Sequence, residues 1–155
     1  IEDRGLLPFR LESDDILISR SNTPELVGRV GRYTGNPEHA YYPDLMMRIR
    51  VIPARVLPQF AELLLRSAVG RQWIKSRASG TSGSMVKIKR RDIMAMPVRL
   101  PRPAEQEAIV AAVSASSAAI AASQEKELQL RELGKCLLQN LLTGKIRIPE
   151  GTIHA

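Results

Sequence analysis

A chain of 155 residues with 44% hydrophobic and 25% charged side chains suits one ordinary domain, or a small domain with an appendage. Aromatic residues make up only 4%, which argues against a compact, self-sufficient globule, and the chain opens at Ile1, so a fragment or a processed product is expected. The formal charge of +7 is unevenly carried: residues 1–102 hold 18 Lys and Arg against 10 Asp and Glu, residues 103–155 only 5 against 6. An anionic partner is therefore expected on the first part. Composition alone weighs a nucleic-acid ligand and a merely solvated basic surface equally. A membrane surface ranks lower, because the basic residues lie between short apolar runs rather than along one amphipathic helix. No run of 18 apolar residues occurs, so no membrane-crossing segment is expected, and the acidic opening IEDRG is no signal peptide.

Taken in chain order, the first part alternates strand and helix signals. The run DILISR (15–20) predicts a strand, broken by the turn formers of SNTPE (21–25). Asp14 and Asp15 are expected as solvated residues at its start. VGRVGRY (27–33) predicts a second strand in which Gly28 and Gly31 mark close backbone approach, and TGNPEH (34–39) predicts a loop. LMMRIRV (45–51) alternates cleanly, with Leu45, Met47, Ile49 and Val51 on one face and Met46, Arg48 and Arg50 on the other. That pattern fits a strand with one solvated or ligand-facing side. Pro58 opens a predicted helix over 58–77, which stops in the Gly- and Ser-rich stretch ASGTSGS (78–84). MVKIK (85–89) is strand-like, RRDIMAM (90–96) suits a single helical turn, and PVRL (97–100) returns to extended backbone before Pro101 and Pro103.

After Pro103 the character changes. Residues 104–142 contain no proline and one glycine, Gly134, and are dominated by Ala, Glu, Gln and Leu. At ~1.5 Å per residue they predict one helix close to 60 Å long. Glu105 and Glu107 suit the positive end of its dipole, and Gly144 with Lys145 suits its exit. A four-three spacing runs along it through Ile109, Val113, Ile120, Leu130, Leu137 and Leu141, apolar at both ends and weak in the middle. These six are the expected helix-pairing residues. The alanines at 111, 112, 115, 118, 119, 121 and 122 allow a second helix to approach closely. The expected fold is α+β: a mixed strand and helix domain over 1–102, then a long pairing helix and tail over 103–155.

The chemical inventory is thin. Two histidines, His39 and His154, and a lone Cys136 are too few for the common structural zinc sites. Cys136 excludes an internal disulfide, sits in the apolar run KCLLQNLL where a buried structural thiol is expected, and is compatible with a reducing cytoplasm. GTSGS (80–84) lacks the spacing of a phosphate loop, and VGRVG (27–31) is not a dinucleotide fingerprint. The PD of YYPDL lacks the paired acid and lysine of a metal-dependent nuclease, and NPEH lacks the aromatic of a base-methylating motif. No catalytic residue, metal site or cofactor is expected. What remains are polar residues at loop ends: Arg20, Ser21, Asn22 and Thr23 after the first strand, and Thr81, Ser82, Ser84, Lys87, Lys89, Arg90 and Arg91 around the Gly/Ser loop. Arg and Asn match guanine and adenine edges, whereas Ser, Thr and Lys commonly hold phosphates. Asn22 beside Pro24 equally suits a turn that bonds to its own backbone.

Several separate motifs then occur in a recognisable order: DILISRSNTPELVGRVG, YYPDLMMRIR, GRQWIKSRASGTSG, IKRRDIMAMPVRLPRPAEQEAIV and LLQNLLTGKIRI. Together they resemble the specificity subunit of type I restriction-modification enzymes over nearly the whole chain. The strongest parts are P-x-x-EQ-x-x-I, here Pro103, Glu105, Gln106 and Ile109, and LLTGK at 141–145. The first proline stands one residue closer than in the usual PP pair. In that family two target recognition domains each read half of a split DNA sequence. Long helices hold them apart as an antiparallel coiled pair and dock the methylation subunits. The resemblance implies the later part of one recognition domain plus one spacer helix, with DNA-facing loops around 20–23 and 79–91. It implies double-stranded DNA, methylation subunits, the restriction subunit through the complex, and a second copy or other half of the specificity subunit as partners. It also implies a cytoplasmic setting and catalysis carried by the partner subunits. The expected function is DNA recognition and assembly. The alternative is a protein-interaction scaffold that pairs through its helix without binding DNA.

Overall fold

The computed structural model describes residues 6–80 and 85–147, which form two compact units divided between Ala111 and Ala112. The first is a small α+β body. Its central strand β1 (Ile16–Ser19) carries β3 (Val30–Arg32) on one edge and β4 (Met46–Ile49) on the other, both antiparallel. Two very short strands, β2 (Ser21–Asn22) and β5 (Val86–Lys87), make a second antiparallel ladder with Ser21 opposite Lys87 and Asn22 opposite Val86. The helices are α1 (Pro58–Arg66), α2 (Ala68–Arg77), α3 (Arg90–Met94) and α4 (Pro103–Leu142).

The alternation read for 45–51, and the same period in β1, explain the core. Ile16 and Ile18 point to one side of β1 and are fully buried, and Met47, Ile49 and Val51 pack on the same cluster with Ile74 and Ile88. Each such isoleucine contributes ~1.5–3 kcal/mol through removal of its side chain from water. Gly28, at φ +69°, lies in the left-handed region, and a Cβ there would overlap Ile74 Cγ2. Gly31, expected to mark an equally close approach, has open space around it.

Three local expectations are corrected. The helix over 58–77 is two helices, because Ser67 leaves the helical region at φ −60° and ψ 163° and its Oγ accepts from Gly70 N at 3.1 Å as the cap of α2. Gly70 allows the tight junction, since a Cβ there would overlap the carbonyl oxygens of Leu64 and Leu65. Asp15 is not solvated: it is 2% exposed, accepts from Arg50 at 2.6 and 3.1 Å, and accepts from the Glu12 backbone N–H at 2.9 Å. Asp14 instead pairs with Arg32 at 2.5 Å. Arg48 and Arg50 are thus spent on the body itself, Arg48 donating to the Arg10 carbonyl at 2.6 Å.

The helix over 104–142 is present as α4, one continuous element of 40 residues. Its first turns belong to the body. Gln106 is fully buried; its Oε1 accepts from Leu57 N at 2.9 Å, and its Nε2 donates to the carbonyls of Arg55 and Pro101, each at 2.9 Å. From 112 to 147 every residue is exposed except Asn140, which is half-buried. Cys136 is exposed rather than buried, its sulfur 3.4 Å from Asn140 Nδ2. By length and composition α4 also passes the test for a membrane span, contrary to the expectation drawn from unbroken apolar runs. Its serines interrupt such a run while lowering the average little. Thr143 and Gly144, the latter at φ +69°, close the helix on the carbonyls of Gln139 and Leu141.

Candidate nucleic-acid interface

The β2–β5 ladder brings together two segments far apart in the chain, Ser21 with Lys87 and Asn22 with Val86. Ile88 N donates to the Arg20 carbonyl at 3.0 Å, and Ser79 pairs with Lys87 from the other side at 3.0 and 2.9 Å. Ile88 is fully buried, so its neighbours Lys87 and Lys89 point outward together. Arg90 and Arg91 open α3 and are exposed, as is Arg20. Asp92 accepts from Lys89 N at 3.2 Å and fixes where the helix begins. Trp73 Nε1 donates to the Asp92 carbonyl at 2.8 Å, tying α3 to α2.

The charge imbalance now has a location. Asp14, Asp15, Glu12 and Glu62 neutralise Arg32, Arg50 and Arg66, and Asp92 lies 3.8 Å from Arg91. Among the described residues no carboxylate pairs with Arg20, Lys87, Lys89 or Arg90. None of these four cations is quenched by a direct ion pair among the described residues, which suits an anion-facing surface.

The first loop is less uniform. Ser21 is 5% exposed and its hydroxyl has no hydrogen-bond partner among the described residues. Asn22 spends its amide locally, Nδ2 donating to Ser19 Oγ at 3.3 Å and Oδ1 accepting from Thr23 N at 2.9 Å. Thr23 is exposed, and its hydroxyl helps hold the Glu25 carboxylate below its ordinary range, after the larger effect of a backbone N–H bond. Thr81, Ser82 and Ser84 lie outside the described residues.

Sequence reasoning passed over the neighbouring cavity. About 420 Å3 in volume, it opens between β4 and the start of α3, and Arg20, Lys89 and Arg90 share it with Tyr42 and Arg48. Tyr42 makes an edge contact with Phe9 at 5.6 Å, and the Arg48 guanidinium lies 5.3 Å from its ring centre. The YYPD aromatics were the available signal, but nothing local placed them beside Arg20.

The six helix-pairing residues are not gathered by the described contacts. Ile109 is half-buried in the body, whereas Val113, Ile120, Leu130, Leu137 and Leu141 are exposed, 39–59%. Leu133, omitted from the expected seam, is exposed as well and falls within the same ~80° arc as Leu130, Leu137 and Leu141 at about 100° per residue.

No family model matches the chain. Among curated proteins, it is 29% identical over 103 residues to the type I restriction enzyme StySPI specificity subunit of Salmonella potsdam. The match covers 66% of this chain and 22% of that relative, so the chain spans about a fifth of its length. The likeness is weak and partial, and suggests kinship with type I specificity subunits at the level of the family.

Proposed function

We propose that the chain is a DNA-recognition and assembly module of a type I restriction-modification system, without catalytic residues of its own. Residues 1–102 act as the later part of a target recognition domain, and residues 103–155 as a spacer helix that pairs with a second long helix, followed by a tail. The observation that carries this reading is the cluster of Arg20, Lys87, Lys89 and Arg90 on the β2–β5 ladder and α3, none of them quenched by a direct ion pair among the described residues. The likeness to the StySPI specificity subunit supplies the biological setting. By that kinship the partners are duplex DNA, methylation subunits and, through them, the restriction subunit, in the cytoplasm. Catalysis then belongs to the partner subunits. Lys87, Lys89, Arg90 and Arg91 hold phosphates, as do Thr81, Ser82 and Ser84 in this reading, while Arg20 and Thr23 approach the bases.

The test is fluorescence anisotropy on labelled duplex at several salt concentrations, with and without methylation subunits. Changing Lys87 and Lys89 together to Gln is expected to weaken binding about equally on all sequences and to flatten the slope of log K against log salt by up to ~2. Arg20→Gln is expected to alter half-site preference, by about 1–3 kcal/mol for one bidentate base contact. An unchanged slope removes the lysine cluster from the interface. A second reading, a scaffold that pairs but does not bind DNA, is favoured by the exposed leucines of α4, and it wins if duplex binding is absent at low salt while helix pairing persists.

A further inference from the structure

We propose that the cavity beside β4 seats a single nucleotide unit, its phosphate on Lys89 and Arg90, its planar base against Tyr42, and Arg20 beside them facing the base edge. The inference rests on the DNA-binding reading only for the source of that nucleotide; the pocket's own chemistry is independent of it. A volume of about 420 Å3 is far more than a phosphate group fills and lies within the ~300–1,000 Å3 range of small-ligand sites. Its walls divide by chemistry. On one side are the three cations, all exposed and without a carboxylate partner among the described residues. Arginine and lysine so placed suit a phosphate monoester or diester.

On the other side is a ring that the body holds in place. Phe9 meets Tyr42 edge-on with the planes 63° apart, and the Arg48 guanidinium lies against the same ring. Arg48 is itself fixed by its bond to the Arg10 carbonyl at 2.6 Å, so the Tyr42 ring is buttressed rather than left to swing. A buttressed aromatic beside free cations is the combination on which bases stack while their phosphates are held. Met46, on the same face of β4 as Arg48, adds an adaptable apolar contact.

Asp44, exposed at the rim, is the feature that separates a nucleotide from a bare anion. Its carboxylate repels free phosphate but accepts from amino and imino groups on a base edge, the exocyclic amine of cytosine among them. The unit comes either from DNA, as an unpaired nucleotide turned out of the stack, or from the free nucleotide pool. Extrusion from an intact duplex costs unstacking and unpairing, so an already unpaired base is the favoured DNA source.

The full chain is titrated by anisotropy with a fully paired duplex and with the same duplex carrying one unpaired cytosine, and by calorimetry with deoxycytidine monophosphate and with inorganic phosphate. The unpaired cytosine is expected to tighten duplex binding about five- to tenfold, and the mononucleotide to bind where phosphate does not. Tyr42→Ala is expected to abolish both preferences without changing the salt slope on paired duplex, and Tyr42→Phe to keep them. Should Tyr42→Ala fail to fold, Asp44→Asn takes its place, and is expected to level unpaired cytosine with unpaired thymine. Salt-dependent binding of paired duplex with neither preference overturns the nucleotide pocket and leaves the DNA-binding reading standing. Mononucleotide binding without duplex binding assigns the pocket to free nucleotides and overturns the DNA reading. Binding of phosphate as tightly as mononucleotide reduces the cavity to an anion site and refutes the role of Tyr42.

Discussion

The body and the helix use apolar side chains in opposite ways. In the body, Ile16, Ile18, Ile74 and Ile88 are each fully enclosed. Along α4, Leu128, Leu130, Leu133, Leu138 and Leu142 are 55–81% exposed, although leucine and isoleucine lose comparable free energy to water. The body obtains its structure from contacts between distant segments. The helix obtains its structure locally, from alanine-rich sequence, an N-terminal proline and acid, and several pairs one turn apart, such as Glu127 with Arg131 at 2.6 Å. A helix that gains so little from tertiary packing is stable only in proportion to its length and propensity. Its leucines stay largely open to water along its length, whereas the body exposes large apolar side chains only at scattered positions such as Ile52, Val69 and Met94.

The sharpest way to break this comparison is at Gln106, the one buried residue of α4. Gln106→Leu leaves the Leu57 N–H and the carbonyls of Arg55 and Pro101 without their partner, and each dry, unmet group costs ~1–3 kcal/mol. With partial access of water the expected loss is about 2–4 kcal/mol. The single Trp73, bonded to α3, reports the body through its fluorescence in a urea titration, and far-ultraviolet circular dichroism reports the helix. The Trp73 midpoint is expected to fall sharply. An unmoved midpoint means that the start of α4 does not stabilise the body.

What the sequence disclosed follows the same division. Helix α4 was legible because its signals are local: no proline, one glycine, strong helix formers throughout. Strand β1 was legible as a short apolar run, and the inward face of β4 by alternation. The β2–β5 ladder was not, because a two-residue strand has no period, and its pairing of Ser21 with Lys87 depends on the whole intervening chain. Asp15 was misplaced for a related reason: only the register of β1 against β4 brings Arg50 to it. The break between α1 and α2 did carry a local signal, Ser67 three residues ahead of Gly70, which the run of leucines before it obscured. Gln106 stood inside a visible motif, yet the motif shows where a helix starts, not what the amide holds. Of the interface, the charged residues were legible one at a time and their assembly with Tyr42 was not.

A second experiment sharpens the comparison from the helix side. Leu137→Glu changes an exposed residue, so the Trp73 midpoint is expected to stay within ~0.5 kcal/mol of the parent. If α4 pairs along the arc of Leu130, Leu133, Leu137 and Leu141, the same change buries a charge in the pair. Self-association measured by sedimentation equilibrium is then expected to weaken at least tenfold, or about 1.4 kcal/mol. Leu138→Glu, off that arc, is the control and is expected to weaken it less. Equal losses at both positions place the seam elsewhere on the helix, and no association in the parent shows that α4 does not pair with a second copy.

The smallest expected effect lies in the turn after β2, which local backbone bonds close and Arg71 of α2 braces by donating to the Glu25 and Val27 carbonyls. The Thr23 carbonyl accepts from Leu26 N at 3.1 Å and from Val27 N at 2.9 Å. Within that turn the Glu25 carboxylate is held below its ordinary value of 4.5, chiefly by its own backbone N–H and then by the Thr23 hydroxyl. A depressed carboxylate stabilises the folded state at any pH above its ordinary value, and the contribution is lost as pH falls through the folded value. Glu25 is fully exposed, so solvent and salt screen the effect and its share of global stability is slight. The direct measurement is therefore a carboxyl titration of Glu25 by nuclear magnetic resonance. Thr23→Val is expected to raise its midpoint part of the way towards the ordinary value, because the larger backbone contribution survives. A full return would mean that the turn itself had opened, and no movement would mean that the hydroxyl serves another partner, free to face a phosphate.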